Sequence, residues 1–347
     1  MTPKETTGAM GDTDSSIHER NRFFALLTVA TLMPCAFFIL RAPQVESLWG
    51  TAEITAIVLF FGANGHVGAS FFFYLEPGIR RFMIDEGRGR FLLLPPILIG
   101  LGALTFVAGG HTVRAYVICA FWIWQIHHFT RQNHGILAFA SRSEGIEPSL
   151  AERTALALTN VAGILGAFTI IAPYRATVMV GWGWQIHAVG VCVYAAAVLA
   201  WLISLSDPAR RRPGWRSWIM LLLILFYLPL YVVKDAFLAV FIFLTAHGLQ
   251  YLVFMGYVVR RSEVRLRNAV IGLAVTTIGV GYAVYVMQSV GLKSAHGRGL
   301  LGAAFGVIVW HFLLDARIWR LSEPFQRRTM TERFDFLLAR DRSATTR

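Results

Sequence analysis

Ten stretches of the chain are each apolar over about the length needed to cross 30 Å of hydrocarbon, and their succession limits the possible folds more than any motif does. They run near 23-40, 52-75, 91-108, 114-140, 154-172, 178-205, 217-233, 236-259, 268-290 and 300-321. A backbone in lipid must satisfy its own hydrogen bonds, so runs of this length are expected to be helices. The expected fold class is therefore all-α: a polytopic integral membrane protein of about ten transmembrane helices, arranged as five helical hairpins. The overall make-up, 56% hydrophobic and 15% charged, agrees with that class.

The 32 Lys and Arg residues supply the direction of the helices. Most fall into every second connection, and only Arg41, Arg114, Arg175, Lys234, Lys293 and Arg298 fall on the opposite side, with Arg131 inside a span. Basic residues collect on the cytoplasmic side of a membrane, which places both termini in the cytoplasm. The localisation expected is a bacterial inner membrane. The net charge of +12 is accounted for by this pattern, so nucleic acid is not expected as a partner.

Three regions follow. Residues 1-20 are polar and without apolar period, and read as a disordered cytoplasmic tail. The transmembrane helical domain covers 21-322, its first run read as a retained helix and not a cleaved signal. Residues 323-347 read as a basic cytoplasmic tail in which Met330, Phe334, Leu337 and Leu338 share a helical face suited to an anionic membrane surface. Cys35, Cys119 and Cys192 stand alone in apolar runs, so neither a disulfide framework nor a thiolate metal site is expected.

The buried polar residues lie on the even-numbered spans: Asn64 and His66; the segment FWIWQIHHFTRQNHGILAFA with His127, His128, Arg131 and His134; His187; His247, Gln250 and Tyr251; and His311 with Asp315. Counting back from the cytoplasmic helix ends at about 1.5 Å per residue, His66, His128, His134, His247 and His311 lie roughly 12 to 21 Å deep. His187 comes out roughly 30 Å away, beside the belt-like Trp182 and Trp184, and is left out of the site. One histidine recurs per expected hairpin, at His66, His127, His187, His247 and His311, as a duplicated unit would give.

An ionised side chain at a helix centre costs about 2.5 to 3.5 kcal/mol, so this cargo must have partners. His127, Arg131 and His134 fall on one stripe, with His128 about 100° aside in a supporting place. His311 and Asp315, four apart, can hold one metal ion or orient one another. The expected metal ligands are His66, His127, His128, His134, His247 and His311, with Asp315, Arg131 and Tyr251 catalytic. A nitrogen-rich set with one carboxylate suits a mono- or di-iron centre best, with copper, zinc or haem as alternatives. Arg131 is suited to hold an acidic group of a substrate or to neutralise Asp315.

No H-x-x-x-H or H-x-x-H-H box of the membrane desaturases and hydroxylases occurs. The scatter of single histidines through apolar helices resembles, in layout only, that of the bacterial membrane β-carotene dioxygenases. His127-His128 and the His247 to Tyr251 spacing are similar to copper-ligand patterns of the terminal oxidases, but their order along the chain differs. The expected function is a histidine-ligated non-haem metal oxidoreductase or oxygenase in the membrane, with a hydrophobic substrate, dioxygen and an electron donor as partners. The rivals are a transporter or ion relay using the same histidines, and a haem-binding protein.

Overall fold

The computed structural model describes residues 8–48, 59–170, 181–207, 214–233, 235–290 and 294–338, and among them there are helices and no strands. In chain order, α1 is Gly8–Leu48; α2, Gly65–Ser70, follows a π-helical turn over Leu59–Asn64 and runs into a tight turn over Phe71–Tyr74; α3 is Pro77–Asp85. Next come α4, Leu94–Ala108; α5, His111–Ser143; α6, Leu150–Ile170; α7, Gly183–Ser204; α8, Trp215–Leu225; and α9, Pro229–Val232. The chain continues with α10, Ala236–Arg260; α11, Leu266–Ser289; α12, Ala295–Ile318; and two short helices, α13, Pro324–Arg333, and α14, Asp335–Leu338.

Eight segments among the described residues are long and apolar enough to cross a membrane: Ser15–Phe38, Gly89–Ala108, Leu150–Ile170, Gly183–Ser204, Trp215–Val232, Leu238–Arg260, Leu266–Ser289 and Ala295–Ile318. The chain is thus a multi-pass membrane protein. α5, at 33 residues, is long enough but is kept out of that group by its polar middle. The other expected span begins at residues 52–58, which lie outside the described residues; its remainder is the broken helix around α2.

α6 and α7 pair as sequence neighbours, but other extensive contacts join helices far apart in the chain: α1 with α10, α2 with α11, and α4 with α12. Small residues allow the closest of these. A Cβ on Gly302 would run into the carbonyl oxygen of Gly102, and one on Gly306 into that of Leu98, so the α4 and α12 backbones touch where larger side chains would hold them apart. Two of the site-bearing helices start at side-chain caps. Asp235 accepts from Leu238 N at 2.8 Å to open α10, and Ser294 accepts from Gly297 N at 2.9 Å to open α12.

Both terminal expectations need correction. From Gly8 onward the polar N-terminal stretch is helix, not disordered tail. It has tertiary partners that composition does not show: Glu19 pairs with Arg260 at 2.5 Å and with Arg261 at 3.7 Å, and Ser16 bonds the Phe336 carbonyl. After Pro324, Met330, Phe334 and Leu337 are buried against the bundle and present no apolar face to lipid. Phe334 packs among Phe23, Phe139, Phe254 and Tyr257. Arg333 anchors the segment by donating to the fully buried Glu76 carboxylate at 2.6 Å.

Candidate metal centre

Four helices each deliver an imidazole to one point. His66 comes from α2, His128 from the middle of α5, His247 from α10 and His311 from α12. Their ring centroids stand 4.7 Å apart for His66 and His247, 4.9 Å for His66 and His311, 5.2 Å for His128 and His247, and 5.1 Å for His128 and His311. One turn beyond His247 is Tyr251, and one turn beyond His311 is Asp315, so α10 and α12 each contribute a pair on one face. Nitrogens of His66, His247 and His311 lie within 4.8 Å of one another, and so do ligand atoms of His128, His311 and Asp315. The two groups share His311 and form one cluster.

The hydrogen bonds around the rings aim their free lone pairs. His66 Nδ1 is 3.1 Å from the Gly62 carbonyl, which can only accept, so Nδ1 carries the proton and Nε2 is left bare. Gly62 lies in the π-helical turn that precedes α2, and such turns re-aim side chains at functional places. A second chain begins at Asp315, whose Oδ1 accepts from Tyr251 Oη at 2.8 Å. Tyr251 Oη in turn accepts from Ser70 Oγ at 2.9 Å, and Ser70 Oγ stands 2.6 Å from His311 Nδ1. With the tyrosine proton committed to the carboxylate and the serine proton to the tyrosine, His311 Nδ1 must donate. His311 Nε2 is then bare as well.

Asp315 Oδ2 faces the other side, 3.8 Å from His128 Nε2 and 3.7 Å from His311 Nε2. Among the described residues, Nε2 of His66, His128, His247 and His311 makes no hydrogen bond, and neither does Nδ1 of His247. Buried polar atoms are normally paired, so four such atoms converging with a carboxylate point to a ligand they share. The surroundings are dry: His247 lies 4.0 Å from the Phe129 ring, and His128 stacks on Phe312 at 4.4 Å. The site is also closed, with His247 and His311 0% exposed, His66 2%, Tyr251 2%, Asp315 6% and His128 8%.

The structure thus brings together His66, His128, His247, His311, Asp315 and Tyr251. It does not bring His127, Arg131 or His134 to them. His127 and Arg131 are exposed on the outer face of α5, and half-buried His134 has Nδ1 2.9 Å from the Thr130 carbonyl on its own helix. The stripe expected to face inward faces outward, and the flanking His128 takes the inward place. The physical reason is rotation: α5 carries a second stripe, Gln125, His128 and Gln132, and that is the one its neighbours cover. Asp315 is held by Tyr251 and stands beside the two histidines, and Arg131 takes no part. His187 is half-buried against Tyr231, at 5.6 Å, apart from the cluster, and the three cysteines form no disulfide and lie outside it.

Sequence reasoning passed over Ser70 and Gly62, although both stand four residues from His66 and therefore on its face. It also passed over a polar chain beside the site. Gln132 Nε2 donates to the His247 carbonyl at 3.3 Å and to Gln250 Oε1 at 3.0 Å, and Gln250 Nε2 donates to Thr31 Oγ1 at 2.8 Å. This chain ties α5, α10 and α1 together at the depth of the cluster, which limits any drift of the histidines. No protein-family model matches the sequence, and neither a curated protein nor a solved structure matches it.

Proposed function

We propose that the imidazole cluster holds one metal ion, and that the protein is a membrane-embedded, histidine-ligated non-haem metal oxidoreductase acting on a hydrophobic, lipid-dissolved substrate. The observation that carries this reading is the set of four buried Nε2 atoms, one from each of four helices, left without hydrogen bonds beside the Asp315 carboxylate. Because both ligand groups use His311, and its Nδ1 is taken by Ser70, the donors serve one ion better than two. Four imidazoles and one carboxylate suit iron, with copper and zinc as competitors. The rings pack too closely to leave a slot for a porphyrin plane between them, which argues against haem. Bound iron would supply the activation of dioxygen; the protein supplies the rest.

In this reading each side chain has a separate task. His66 and His311 enter as fixed tautomers, their Nδ1 protons held by Gly62 and by Ser70. Asp315 neutralises part of the cationic charge and, through Tyr251 and Ser70, is the end of a hydrogen-bonded path along which a proton can move. Phe129 and Phe312 exclude water. Closure on all sides supports an enzyme over a permeation path, which needs an opening at each end.

The finer topology belongs to the same reading: ten crossings of a bacterial inner membrane in five hairpins, both termini cytoplasmic, and the cluster in the cytoplasmic half. Elemental analysis of protein purified without added metal tests the function. About one iron per chain, lost in His311→Ala, is the expected result; metal-free protein that still folds would end the proposal.

A further inference from the structure

His128 on α5 and Asp315 on α12 are the most exposed residues of the cluster, whereas His247 and His311 are fully enclosed. The site therefore comes nearest to its surroundings along the seam between these two helices. Further towards the basic end of the molecule, beside the same α5, is a cavity of about 600 Å³ whose lining includes Ala138, Phe139, Arg142, Glu147, Leu321 and Arg327. Ala138 lies about 15 Å beyond His128 along α5, and Leu321 follows three residues after the end of α12. Cavity and cluster are thus separated by nearly three turns of helix.

The stretch of α5 between them has the features of a passage. Gly135 sits there, and a Cβ added to it would meet nothing within 4 Å, so open space runs past it. Arg142 lies at its cavity end, exposed and without a hydrogen bond or ion pair among the described residues. On the opposite wall, Arg327 is held in place by donating to the carbonyls of Leu321 at 3.1 Å and Ser322 at 3.0 Å. Beyond the cluster the seam turns aromatic: Phe312 lies 5.9 Å from Phe121 and 6.2 Å from Trp124. Two guanidinium groups, Arg142 and Arg327, beside one carboxylate, Glu147, followed by the enclosed cluster and then an aromatic wall, match the order of parts in an anionic amphiphile.

We propose that this seam binds a long-chain carboxylate, with its head group between Arg142 and Arg327, its chain passing Gly135, and a carbon well removed from the carboxylate presented beside His128 and Asp315. An unpaired guanidinium on a helix in contact with lipid calls for an anion, and a planar carboxylate matches its paired donors. The proposal rests on the metal-oxidoreductase reading for its meaning as substrate binding, but its test does not need turnover.

The test uses the full chain, purified in a non-ionic detergent, with oleate as probe and iron content measured on the same samples. Oleate is expected to bind, and Arg142→Gln combined with Arg327→Gln is expected to weaken it about tenfold, the loss of one or two charge-assisted hydrogen bonds. Gly135→Leu should obstruct the chain and weaken binding while leaving the fold and iron content unchanged, and Arg142→Lys should retain part of the affinity. The proposal is overturned if oleyl alcohol binds as tightly as oleate, if the arginine variants bind as the parent does, or if phosphatidylglycerol displaces oleate at equal concentration, which would make the cavity an ordinary lipid head-group site. Arginine-dependent oleate binding by metal-free protein would sink the metal reading and leave the seam standing; bound iron without oleate binding would do the reverse.

Discussion

The two faces of α5 carry nearly the same chemistry to opposite ends. His127 and His128 are neighbours in sequence, yet His127 is exposed with Arg131 one turn below it, and His128 is enclosed with three other imidazoles and Asp315. About 100° of helix rotation separates them. The inner face has donors without partners in a dry pocket; the outer face has cations without anions at an open seam. Neighbouring side chains of one helix thus end in an enclosed imidazole cluster on one face and at an open seam on the other, according to what the adjacent helices bring.

The largest effect expected from breaking the inner face is that of His311→Ala, since His311 belongs to both ligand groups; it should lose nearly all bound metal by elemental analysis. The sharpest comparison follows: His128→Ala should release metal into a chelator far faster than the parent, and His127→Ala should leave the release rate unchanged. Equal effects of the two would mean that α5 is rotated from the arrangement described. Ser70→Ala removes the acceptor that fixes the His311 tautomer, and should weaken metal affinity about 10- to 100-fold by competitive titration, as loss of a ligand's supporting hydrogen bond does. The smallest effect is that of Phe312→Leu. It removes a stacked ring from His128 and should cost about 0.5 to 1.5 kcal/mol of stability in denaturant unfolding, with metal still bound.

Much of the fold was legible because length and hydropathy report directly on a membrane. Apolar runs of the right length gave the helices, and the eight spans among the described residues fall within the expected ten. The terminal segments were misread because composition carries no information about docking partners: Glu19 is held by arginines of α10, and Phe334 by aromatic rings from α1, α5 and α10.

Within the site, depth along each helix could be counted from the sequence, and depth selected His66, His128, His134, His247 and His311 and set His187 apart, although His134 does not reach the cluster. The pairs His247 with Tyr251 and His311 with Asp315 were equally readable, because a spacing of four places side chains on one face of any helix. Helix phase was not readable. A segment apolar on nearly every side has no hydropathic signal for which stripe turns inward, so His127, Arg131 and His134 looked as suitable as Gln125, His128 and Gln132. Only the tertiary structure decided between them, because the choice lies in the packing of α2, α10 and α12 against α5, and those contacts join residues more than sixty positions apart.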